Sequence, residues 1–166
     1  MSSRSLIPRI AAVEATSPLA TALDERTSIL DLSELSHHAV IHPDDPGGLS
    51  LGLRVALATR VAATNEDGPL TEHYRAVLDI AADVPPEVRE LMDPGHQPAS
   101  EAGAWLIAVV AHADRLTSVP ETSTATTIEA LQAAGVDDAD IVRLTQLIGF
   151  VTYQVRVIAG LRLISE

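Results

Sequence analysis

The sequence predicts an all-α protein, a helical bundle of about six to eight helices. Three observations carry this. Hydrophobic residues make up 46% of the chain but aromatic residues only 2%, so the core must be built from Leu, Ile, Val and Ala, a composition that favours helices over strands. Apolar residues recur at helical spacing, as at Leu53, Leu57 and Val61. Clear breakers then cut the chain into helix-sized pieces: residues 42–48 (HPDDPGG), 65–69 (NEDGP) and 93–98 (DPGHQP).

Taken in order, residues 1–18 read as an N-terminal arm with little periodicity, followed by a single helical domain over residues 19–166. Residues 19–41 have helical spacing with a break near Thr27 and Ser28. Residues 49–63 read as an amphipathic helix, and residues 70–82 as the next, with Tyr74, Val77, Leu78 and Ala81 facing inward. Pro85-Pro86 opens a short helix through Met92, since proline suits a first helical turn. Residues 100–117 form an apolar helix. Thr126 and Glu129 have the spacing of a capping box, and Gly135 is a natural C-terminal stop. Asp137 or Asp138 caps a last, long helix to about Ile164. That helix is apolar on nearly every face, which predicts a place either at the centre of the fold or between subunits, and we expect a homo-oligomer on that basis. Residues 144–164 are about as long as a membrane span, but Gln146, Gln154, Arg156 and Arg162 within them fit a buried soluble helix better.

The chain of 166 residues carries a formal net charge of −12. Nucleic acid and anionic membrane are poor partners for such a surface. With no cysteine, disulfides, thiolate zinc sites, iron–sulfur clusters and cysteine nucleophiles are excluded. The chain also has no lysine, which excludes Schiff-base and pyridoxal chemistry. No phosphate-binding glycine loop or nucleophile elbow occurs, no cofactor is expected, and residues 1–10 lack an apolar stretch of signal-peptide length, so a cytoplasmic setting is expected.

Candidate site residues are few. His37, His38 and His42 look at first like a metal cluster, but Pro43 ends the helix and no partner ligand is in register, so they read as solvated histidines and no metal is expected. His96 reads as surface. His112 and Arg115 are neighbours one turn apart and read as a structural polar cluster, with a pocket-lining role as the alternative. Glu72-His73-Tyr74 is the polar cluster with most chemistry. A histidine just inside a helix N-terminus has a lowered pKa and suits proton exchange with an anionic ligand.

Residues 53–63, the break at Asn65 and His73-Tyr74 in the next helix resemble the alkylhydroperoxidase-D-like, or carboxymuconolactone decarboxylase, family. So do three C-terminal stretches: residues 112–117 (HADRLT), residues 128–135 (IEALQAAG) and residues 148–157 (IGFVTYQVRV) together with Asp140-Ile141-Val142. The last resemble peroxidase-related members. The resemblance covers residues 49–164 and implies a helical bundle with interlocked subunits. Redox members of the family carry a C-x-x-C pair at a helix N-terminus, a following histidine, and a glutamate on the preceding helix. Here the resemblance puts Asp67 and Leu70 at the cysteine positions, His73 or Tyr74 at the histidine, and Val55 at the acid. It therefore implies a member without thiol peroxidase activity, acting as a binding, accessory or pseudoenzyme protein. The alternatives are a cofactor-free lyase or decarboxylase in which His73, with Glu72 or Tyr74, exchanges a proton with a small carboxylated ligand, and a purely structural oligomer.

Overall fold

The computed structural model describes residues 5–81 and 84–165. Those residues contain no strand and nine α-helices: α1 (Leu6–Ile10), α2 (Pro18–Asp24), α3 (Thr27–Ile41), α4 (Leu51–Thr64), α5 (Gly68–Ile80), α6 (Pro86–Glu90), α7 (Ala104–Ser118), α8 (Ala125–Ala133) and α9 (Asp138–Ser165). Part of the stretch expected as an arm (residues 1–4) and the last residue of the expected 70–82 helix lie outside the described residues. The helix beyond the expected number is α1. Leu6, Ile7 and Pro8 are buried, the element packs on α9, and Glu34 Oε1 of α3 accepts from the Leu6 N–H at 2.6 Å.

The expected amphipathic helix is not amphipathic. All ten residues from Leu53 to Ala62 in α4 are buried. The reason is that α5, α6, α7 and α9 pack around it on different sides, so its polar positions also point inward. Thr59 returns its hydroxyl to the Val55 carbonyl at 2.8 Å. The two arginines find acceptors at distant points of the chain. Arg54 donates to the carbonyls of Leu49, Val40 and Pro46 at 2.8, 2.9 and 2.8 Å. Arg60 pairs with Asp114 of α7 and donates to the carbonyls of Leu91, Asp93, Pro94 and His96. The 42–50 and 91–97 loops are thus hung on the central helix by buried guanidinium groups, the side chain best suited to several acceptors at once.

The long last helix is not at the centre. One side of α9 is buried through Ile141, Leu144, Leu147, Ile148, Val151, Val155 and Ile158. The other side leaves Val142, Tyr153, Leu163 and Ile164 exposed. It is the only described helix long and apolar enough to cross a membrane by length and composition. Two of its polar side chains are satisfied inside the protein: Gln154 by Tyr74 and Arg162 by Asp67. Asp140, near its start, takes the Gly48 N–H on both oxygens at 3.1 and 2.9 Å. A Cβ on Gly48 would lie 2.4 Å from that carboxylate, which is why the loop needs glycine there.

Cap positions shift slightly from those expected. The capping box of α8 is Thr124 with Thr127 in place of Thr126 with Glu129. At α9 it is Asp137 that accepts from the Asp140 N–H, at 2.7 Å.

Replacing Arg60 by Ala removes a donor from four loop carbonyls and the paired cation from Asp114. We expect a loss of about 3 kcal/mol, seen as a fall in Tm of roughly 6–12 °C by calorimetry. A shift under 2 °C would contradict the role assigned to this side chain.

Candidate functional site

The turn between α4 and α5 is where the family resemblance locates its cysteine pair. It is closed by structural bonds. Glu66 adopts a left-handed conformation (φ 59), and the Asp67 N–H donates back to the Ala62 carbonyl at 3.1 Å, as in a helix C-terminal cap. Asp67 then caps the next helix, accepting from the Leu70 N–H at 3.0 Å, and holds Arg162 through both oxygens at 3.1 and 2.9 Å. Asp67 and Leu70 are both buried. Val55, at the position of the relay acid, is wholly buried in the core.

The α5 cluster divides. Glu72 is exposed and pairs with Arg75 at 2.9 Å. Tyr74 is fully buried and donates its hydroxyl to Gln154 Oε1 at 2.6 Å. Burial pushes its phenol well above the ordinary range. His73 lies between them, half-buried, with its Nε2 out of contact with solvent and without a hydrogen-bond partner. The structure therefore does not bring Glu72 together with His73 and Tyr74. It brings His37 instead.

His37, on α3, was expected to be solvated. It is half-buried, its ring 6.3 Å from that of His73, 6.1 Å from Tyr74 and 6.1 Å from Phe150. Its Nε2 is also buried and unpartnered. His38, its neighbour in sequence, is exposed. The inward turn follows from α3 lying on α9, which sets residue 37 against Phe150 and residue 38 toward solvent. Burial lowers the His37 pKa to about 4, against a weaker opposing pull from Glu34. The His73 imidazole is lowered first by burial and then by Arg9. Both rings are neutral at pH 7, each with one donor and one acceptor nitrogen.

Beyond Glu34 a cavity of about 200 Å³ opens between α1, α2 and α3. Pro8, Val13, Leu23 and Leu30 line it, with Asp24, Asp31 and Glu34. The carboxylates make it a poor place for a carboxylated ligand. No group of three or more His, Asp and Glu side chains among the described residues is arranged to hold a metal ion. Spacing could have flagged Gln154, a lone amide in an apolar helix, as a buried hydrogen-bonding group, but nothing in the sequence pairs it with Tyr74.

No protein-family model, curated protein or solved structure matches this chain.

The histidine pair makes stability depend on pH in a definite direction. Unfolded His37 takes up a proton near pH 6.5, whereas folded His37 takes one up only near pH 4. The unfolded state therefore binds more protons between these values, and stability falls as pH drops from about 6.5 to about 4. His73, His42 and His112 are lowered too and act in the same sense. Urea midpoints across this window should fall with pH in the native chain and fall less steeply in His37→Leu; identical slopes would contradict the burial of His37.

Proposed function

We propose that the chain is a cysteine-free member of the alkylhydroperoxidase-D-like class that does not act as a peroxidase and serves instead as a binding or accessory protein. The observation that carries this reading is the α4–α5 turn. Where the class keeps an exposed nucleophile, this chain has a buried cap and ion pair, Asp67 with Leu70 N–H and Arg162, and no hydroxyl or carboxylate can replace a thiolate in peroxide reduction. The all-helical architecture and the packing of α5 along the buried α4 are consistent with the resemblance.

A second reading, a cofactor-free acid–base enzyme using His73, draws on one observation: two neutral imidazoles with unpartnered buried Nε2 atoms lie side by side. It is the weaker of the two because Glu72 turns away and none of the cavities described borders His73.

The exposed apolar side of α9 supports a homo-oligomer. Leu163 and Ile164 are about 70% exposed, at 73% and 69%, on a helix whose opposite face is core, and exposed apolar surface of this kind marks an interface. Light scattering should then return a multiple of 17.5 kDa, reduced to the single-chain mass by Tyr153→Arg with Leu163→Arg. A single-chain mass for the native protein would overturn this part.

With an organic hydroperoxide and a dithiol donor the protein should show no turnover above the blank, and turnover abolished by a substitution in the chain would refute the reading. Asp67→Ala should cost about 2 kcal/mol, from one N-cap and one ion pair whose carboxylate is buried and whose guanidinium is partly exposed, without creating any activity.

A further inference from the structure

His112 and Arg115, which the functions above do not use, stand one turn apart on α7 across from α8. Ala108, Ala111, His112 and Arg115 from α7, with Thr127, Ala130 and Leu131 from α8, line a cleft of about 110 Å³. His112 is only 5% exposed, and its Nε2 is shielded from solvent without any hydrogen-bond partner. A buried polar nitrogen left unpaired carries an uncompensated desolvation penalty, so such atoms in native proteins normally meet a water or a ligand. The expected polar cluster does not supply the partner, because Asp114 turns to Arg60. The Thr127 hydroxyl is committed to Thr124. Arg115 makes one hydrogen bond, to Thr122 Oγ1 at 3.2 Å, and no ion pair among the described residues. A cation and a buried imidazole thus share a small cleft whose other walls are alanine and leucine.

We propose that this cleft binds a short-chain carboxylate, its oxygens on His112 and Arg115 and its alkyl end on Ala108, Ala111, Ala130 and Leu131. The chemistry of the walls selects the class. A planar two-oxygen anion reaches both donors at once, and the alanine and leucine surface takes a methyl or ethyl group. The size selects the length, since about 110 Å³ is room for roughly four water-sized groups. Acids of two or three carbons fit, and aromatic acids do not. Binding is linked to proton uptake. Burial and then Arg115 hold the imidazole of His112 below its ordinary pKa, Arg115 is the only charged group on α7 that lines the cleft, and α8 contributes no titratable one. An anion offsets both causes, so the affinity rises as pH falls from about 7.5 toward 6.

The test is a titration of the full chain with sodium acetate and sodium propionate, followed by NMR of the histidine ring signals, with sodium chloride and sodium benzoate as controls. The expected result is a saturable shift of His112 by acetate and propionate only, tighter at pH 6 than at pH 7.5. Arg115→Gln, an exposed substitution that leaves the core intact, should weaken binding about threefold to fivefold, and His112→Leu should leave no histidine ring signal that shifts saturably with acetate. A shift that does not saturate, that chloride reproduces, or that Arg115→Gln leaves unchanged overturns the proposal and leaves the cleft as a hydration site. This outcome is independent of the peroxidase assay.

Discussion

A guanidinium group taken out of water must find acceptors inside the protein, and on α4 this happens twice. Arg54 and Arg60 are among the largest fully buried side chains of the chain. Neither could remain there unless the surrounding segments supplied carbonyl oxygens, because a buried charge without partners costs far more than a domain of this size can tolerate. The segments comply: the end of α3 and the 42–50 loop turn carbonyls toward Arg54, and the 91–97 loop wraps Arg60 with four. The buried charge thereby sets the course of backbone that has little regular structure of its own. The rest of the packing follows from this arrangement, since helices lie around α4 on several sides and each meets it through aliphatic side chains.

The candidate site depends on the same frame at one remove. α5 is fixed to α4 by the tight turn at Glu66 and to α9 by Asp67–Arg162 at one end and Tyr74–Gln154 near the middle. Those two cross-links determine the rotation of α5 about its axis. Tyr74 is held inward, Glu72 is necessarily directed outward, and His73 lies on the boundary beside His37. The same bonds seal the turn between α4 and α5, leaving Asp67 and Leu70 buried beneath it.

Much of this was readable from residue pattern, and the failures have physical causes. The helices from α2 onward, the three loops and the inward Tyr74 were evident from spacing and from Pro/Gly placement, whereas α1 is too short to show a period. The status of α4 was not. Arginine and threonine at positions 54, 59 and 60 are residue types that ordinarily face solvent, and only tertiary partners reveal that they are buried. For α9 an apolar sequence all round suggests a place at the centre of the fold or between subunits, and the outward-facing Val142, Tyr153 and Leu163 exclude only the first. His37 and His38 are adjacent and chemically identical in sequence; the packing of α3 on α9 alone separates the buried ring from the exposed one. Glu72 and Tyr74 flank His73 but point to different faces, as helix geometry requires of consecutive residues, and which of them meets the histidine is settled only by the packing of α5.

The central claim is that α4, held by its two inward arginines, is the element on which the fold is assembled. Native-state hydrogen exchange tests it most directly. The amides of residues 54–62 should exchange only through global unfolding, with a protection free energy equal to that of the whole protein and at least as high as that of any part of α9. If residues 144–158 of α9 are the most protected and α4 opens at a lower free energy, the account is contradicted.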